Sequence, residues 1–219
     1  MKNNLLYIIA ISLVVLSGCQ SPDDIILPAD NQGLTRLTVK FTSGEYTGEE
    51  AASYTISDSN ADTYVIPVPW FYPADSYNET TPYMTAMKVD ANLDNNFTIV
   101  PGLSILDLTK DNHFTLTDSY GNKRSIIIRG ERVKSSACNI ITFSLKDKDV
   151  TGIIDDAAGT ISLISIDDLS NSLADYELSP HALSISPDPA VTPMNFNNNV
   201  ELTVTAHNGT STKKYTVKK

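Results

Sequence analysis

The chain has two cysteines, three histidines and one tryptophan among 219 residues. Two cysteines cannot build the multiple bridges of a disulfide-stapled scaffold. No Cys-x-x-Cys or His-x-x-x-His pair offers a zinc site. Nor is there a Gly-x-Ser-x-Gly turn to carry a serine nucleophile. His113, His181 and His207 stand beside strands or turns with no motif around them, and read as surface or strand-end residues. Basic residues are also scarce, 16 against 26 acidic, for a formal charge of −10. Such a chain repels phosphate backbones, so nucleic acid is not an expected partner. Its basic clusters, Lys123-Arg124, Arg129 to Lys134, Lys213-Lys214 and Lys218-Lys219, flank strands and read as solvated strand ends. Acidic side chains at Asp147, Asp149, Asp155, Asp156, Asp167 and Asp168 follow no calcium-loop spacing. The expectation is a protein without catalytic apparatus, metal or cofactor.

Long apolar runs are missing as well. The longest, Leu5 to Leu16, spans about twelve positions, short of the roughly 20 residues that cross a bilayer as a helix. It follows Lys2 and ends in Leu16-Ser17-Gly18-Cys19. This resembles the bacterial lipoprotein signal, in which the cysteine is lipidated and becomes the new N-terminus. The resemblance implies removal of residues 1–18, a membrane attachment through lipid on Cys19, and a mature chain of 201 residues with charge −11 once Lys2 is lost. Cys138 would then be alone. It precedes Ile140-Ile141-Thr142-Phe143 and reads as a small buried hydrophobe. Residues 19–33, with Pro22, Pro28, Gly33 and the Asp23-Asp24 pair, read as a tether. Acidic residues so close behind the cysteine are similar to the export signal of Bacteroidota surface lipoproteins. They imply a lipid anchor in the outer membrane with the chain exposed at the cell surface.

From residue 34 onward the periodicity is that of strands. Leu37-Thr38-Val39-Lys40-Phe41 alternates apolar with polar, and β-branched runs recur between Gly, Asn, Asp and Pro to the end of the chain. The fold class is all-β. Phe114 to Ile128 reads as strand, tight turn, strand, and Leu202 to Val217 repeats it. Upstream of each, Thr98 to Gly102 pairs with Glu177 to Pro180, and Leu37 to Phe41 pairs with Ile140 to Leu145. The expectation is two tandem immunoglobulin-like β-sandwich domains at 34–133 and 138–219.

The segments Val68-Pro69-Trp70-Phe71-Tyr72-Pro73, Pro101-Gly102-Leu103, Leu106 to Thr109 and Gly130 to Val133 resemble an uncharacterised module of Bacteroidota surface lipoproteins. There, as here, an immunoglobulin-like repeat follows, with a segment like Leu202 to Gly209. Relatives that capture glycans place such modules below a distinct C-terminal binding domain, whereas this sequence ends at Lys219. One feature can carry recognition. Trp70, Phe71, Tyr72, Tyr77 and Tyr83 fall within fourteen residues, punctuated by Pro69, Pro73 and Pro82. Exposed rings stack on sugar faces, and consecutive aromatics on a strand point to opposite sides. At least one ring is therefore exposed or packed against the neighbouring domain. Two readings follow: a non-enzymatic surface lipoprotein that binds or presents a partner, polysaccharide or envelope protein, with Trp70 and Tyr72 as the expected contact residues, and a structural spacer or assembly subunit without a ligand of its own.

Overall fold

The computed structural model describes residues 33–219. The apolar run, Cys19 and the rest of the tether up to Gln32 lie outside these residues. Every regular element among the described residues is a strand: β1 Leu34–Phe41, β2 Glu50–Thr55, β3 Thr63–Pro69, β4 Met87–Leu93, β5 Thr98–Val100, β6 Ile105–Leu106, β7 Asn112–Thr117, β8 Lys123–Val133, β9 Ile140–Leu145, β10 Gly152–Asp155, β11 Thr160–Leu163, β12 Ala174–Leu178, β13 Ser184–Ser186, β14 Val200–Thr205 and β15 Thr212–Lys218. The first eight form two four-stranded sheets, ordered β2-β1-β4-β6 and β3-β8-β7-β5. The rest form the pair β12-β9 and a five-stranded sheet β10-β11-β15-β14-β13. The chain is all-β and sandwich-like.

Alternation explains the packing. In β1, Leu37, Val39 and Phe41 are buried while Arg36 is exposed and Thr38 and Lys40 are half-buried. Their partners on β4, Val89 opposite Val39 and Met87 opposite Phe41, are buried too. These residues join Tyr64, Ile66, Phe114, Ile126 and Ile128 of the other sheet in one apolar cluster. A second cluster gathers Phe143, Leu145, Ile161, Phe196, Leu202, Val204, Tyr215 and Val217. Each cluster lies within one half of the described chain. Cys138 is half-buried at the edge of the second, less enclosed than a core position.

The strand pairing repeats between the halves. The hairpin β7–β8 is flanked by β5, antiparallel to β7, and by β3, parallel to β8. The hairpin β14–β15 is flanked in the same way by β13 and β11. Likewise β1–β4 corresponds to β9–β12. This corrects one equivalence expected from the sequence. The counterpart of Thr98-Ile99-Val100-Pro101 is Ser184-Ile185-Ser186-Pro187, each ending in a cis peptide bond to proline. Glu177 to Pro180 instead closes β12, the counterpart of β4. The sheet partner decides the match, because Ile99 faces Leu116 as Ile185 faces Val204.

The halves differ at two strands: β6, which pairs with β4, has no counterpart in the second half, and β2 and β10 pair differently. β2 pairs with β1 over Arg36 to Lys40. Its positional counterpart β10 meets β9 only at the Ser144–Thr151 bridge and then pairs with β11 in the other sheet.

Candidate functional site

The segment after β3 sets up the site. The Trp70 amide donates to the Val133 carbonyl (2.9 Å), and the Thr80 amide donates back to the Trp70 carbonyl (3.1 Å). The Tyr72 amide donates to the Asn78 carbonyl (3.0 Å). Residues 70–72 are thereby paired with 78–80, which makes consecutive aromatic side chains diverge. Thr80, fully buried, fixes the base by donating its hydroxyl to the Pro69 carbonyl (2.6 Å).

The five aromatic candidates separate into two groups. Tyr72 and Tyr83 turn to the first core, with ring centroids 4.8 and 5.2 Å from that of Phe41. Tyr72 also donates its hydroxyl to Glu49 (2.8 Å), which raises its pKa above the usual 10. Trp70, Phe71 and Tyr77 meet the second half. Phe71 stacks on His181 (4.2 Å between centroids, 24° between planes) and on His207 (5.6 Å, 22°). Trp70 meets His207 edge-on at 6.2 Å, and Tyr77 meets His181 edge-on at 4.9 Å. Tyr77 is otherwise 84% exposed.

Two turns of the second half hold the histidines. His181 follows Pro180 and has φ of +62°. Its Nε2–H donates to the Ser76 carbonyl (2.7 Å), a bond that ties the two halves. His207 precedes an Asn208-Gly209 turn, where the Asn208 side-chain oxygen accepts from the amides of Thr210 and Ser211. The Asn208 amide in turn donates to the Ser135 carbonyl (3.1 Å). The third histidine, His113, is exposed on β7 and takes no part.

Cations complete the arrangement. The Arg132 guanidinium lies 3.7 Å from the Trp70 ring centroid, within cation–π range, and donates to Glu79 (2.8 Å). That bond lowers the Glu79 pKa. The Lys134 ammonium is 5.3 Å from the same ring centroid and makes no ion pair among the described residues. Trp70, Phe71, Lys134, Ser135, His181 and His207 line an open cleft of about 330 Å³, near the lower end of small-ligand sites. No carboxylate lines it.

His207 reports on this environment. Burial in the cleft, then the positive charge of Lys134 and the proximity of His181, hold its pKa below the ordinary 6.5. Below 6.5 the unfolded chain therefore binds more protons at this position than the folded one. The His207 contribution is fully present above 6.5 and declines as pH falls toward the folded value. An NMR titration is expected to place the His207 midpoint under 6.5, and Lys134→Ala to move it up. A midpoint at or above 6.5 in the native protein would contradict the arrangement.

Sequence reasoning named the aromatics but read His181 and His207 as surface or strand-end residues and Arg132 and Lys134 as part of a solvated strand end, whereas the structure brings all four to the cleft. The two histidines lie 26 residues apart in sequence, and their ring centroids are 5.6 Å apart. No group of three or more side chains able to hold a metal ion occurs among the described residues.

Comparison with solved structures returns limited likenesses. A candidate glycoside hydrolase of Bacteroides thetaiotaomicron is 27% identical over 40% of this chain, with a TM-score of 0.35, and the match spans about a quarter (26%) of that protein's length. A candidate secreted protein of Bacteroides fragilis is 14% identical, covers 49% of this chain and 100% of its own, with a TM-score of 0.31. No curated protein matches. Residues 140–219 match the model of a domain of unknown function, DUF8499. Residues 14–130, more than half of the sequence, match that of another, DUF5018. The chain belongs to the DUF5018 family.

Proposed function

We propose that this chain is a non-enzymatic surface lipoprotein of the Bacteroidota outer membrane, anchored through Cys19, whose two β-sandwich halves carry a carbohydrate-recognition cleft where they meet. The cleft itself carries the reading: Trp70 and Phe71, adjacent in one loop, are gathered with two histidines around an open hollow, and Tyr77 packs edge-on against His181. Sugar rings present flat C–H faces to aromatic side chains, and the serine hydroxyls and imidazoles at the rim suit sugar hydroxyls. Glycoside hydrolysis requires a pair of carboxyl groups flanking the scissile bond, and the lining supplies none. No helix among the described residues is long and apolar enough to cross a membrane.

The test is affinity electrophoresis of detergent-extracted full-length protein in gels containing single polysaccharides. Retardation by at least one polymer, lost in Trp70→Ala with the unfolding midpoint retained, is the expected result. Absence of retardation across neutral and acidic polymers would leave the second reading, a spacer whose halves are held in fixed orientation. That reading is favoured by one observation: Phe71 lies against both histidines as a joint.

A further inference from the structure

Resting on the carbohydrate reading, we propose that the cleft takes an acidic polysaccharide, receiving the carboxylate of a uronate residue at Lys134 while the sugar ring lies against Trp70. The chain as a whole carries −10, and a polyanion is repelled by most of its surface. At this one place Arg132, Lys134, His181 and His207 converge. Arg132 is neutralised by Glu79. Lys134 is not neutralised by any described residue, it is exposed, and it stands beside an indole ring. Besides Glu79, held by Arg132, the acidic neighbours Asp75 and Glu177 line a second hollow with Tyr77 and His181. A carboxylate entering the Lys134 side thus meets an ammonium, the Ser135 and Ser136 hydroxyls and an apolar ring, without a competing acid in the lining.

Distance makes such an island effective. Charges more than about 10 Å away are screened at 0.1 M salt, so most of the acidic surface is not felt inside the cleft. A single exposed ion pair contributes little, which means one uronate binds weakly. A polymer presents many in succession, and rebinding raises its apparent affinity well above that of the monosaccharide.

The experiment compares polygalacturonate and alginate with dextran and pullulan in affinity gels, using detergent-extracted full-length protein. Lys134→Glu is paired with Lys123→Glu, the same charge change at the opposite end of β8, about 36 Å away at about 3.3 Å per residue. The expected result is retardation by an acidic polymer, weakened about tenfold or more by Lys134→Glu, changed less than about twofold by Lys123→Glu, and lost in high salt. Equal losses from both variants would overturn the proposal, because the attraction would then be diffuse. Retardation by neutral polymers alone would overturn it while leaving the carbohydrate reading intact. Retardation by none would overturn both.

Discussion

Replacing Phe143 by alanine is expected to destabilise the second half by about 3–5 kcal/mol, the range for truncating an enclosed phenylalanine. The side chain is 1% exposed. Its ring meets Phe196 edge-on, with centroids 6.0 Å apart and planes at 81°, a geometry that contributes beyond burial alone. The surroundings leave no slack: a Cβ added at Gly152 would stand 3.3 Å from the Phe143 ring and 2.6 Å from Ile161. Backbone packed this closely cannot collapse into the space left by the ring, so the upper part of the range applies. A folded domain holds only about 5–15 kcal/mol in total. At about 4–8 °C per kcal/mol for a unit of this size, the midpoint should fall by about 15 °C or more. Thermal unfolding followed by circular dichroism measures this. Separate transitions, of which only one moves, would show that the halves unfold independently; a single displaced transition would show that their contact couples them. A fall under about 5 °C would mean that Phe143 is not the centre of its core.

Cys19→Ala is expected to be close to all-or-none: nearly all of the protein should leave the membrane fraction. Each buried methylene of an acyl chain contributes about 0.8 kcal/mol, and one chain alone gives only reversible attachment. On the proposed lipoprotein reading, removing the Cys19 thiol removes every chain at once. The apolar run at Leu5 to Leu16 is too short to take over as a spanning helix. Fractionation followed by a carbonate wash of the membranes reads the outcome. Retention equal to that of the native protein would overturn the lipoprotein reading.

Much of the fold was legible because burial in a sheet leaves a two-residue trace. β1, β7, β14 and β15 each alternate buried with accessible side chains, and each was readable from sequence. β2 was not, since Glu50-Ala51-Ala52-Ser53-Tyr54-Thr55 has few β-branched residues and buries only Ala51. β10 is four residues long, too short to show a period. The site was half legible. A cluster of aromatics within fourteen residues is visible in any reading, but which ring turns to the core depends on the pairing of 70–72 with 78–80. The histidines and Lys134 were hidden for a different reason. They come from three separate turns and strand ends, and only the docking of the halves brings them together.

The 11-residue strand β8 has a mechanical consequence. It runs parallel to β3 through seven successive residue pairs, from Ile127 opposite Thr63 to Val133 opposite Pro69, and continues through residues 134–139 into the second half. A pull on the second half travels along β8. It loads that ladder along the strand direction, so its hydrogen bonds resist together instead of opening one at a time. Survival under force depends on the rate of unfolding rather than on equilibrium stability. Trp70 and Arg132 stand at the loaded end of this ladder, so the force enters the first half beside the cleft.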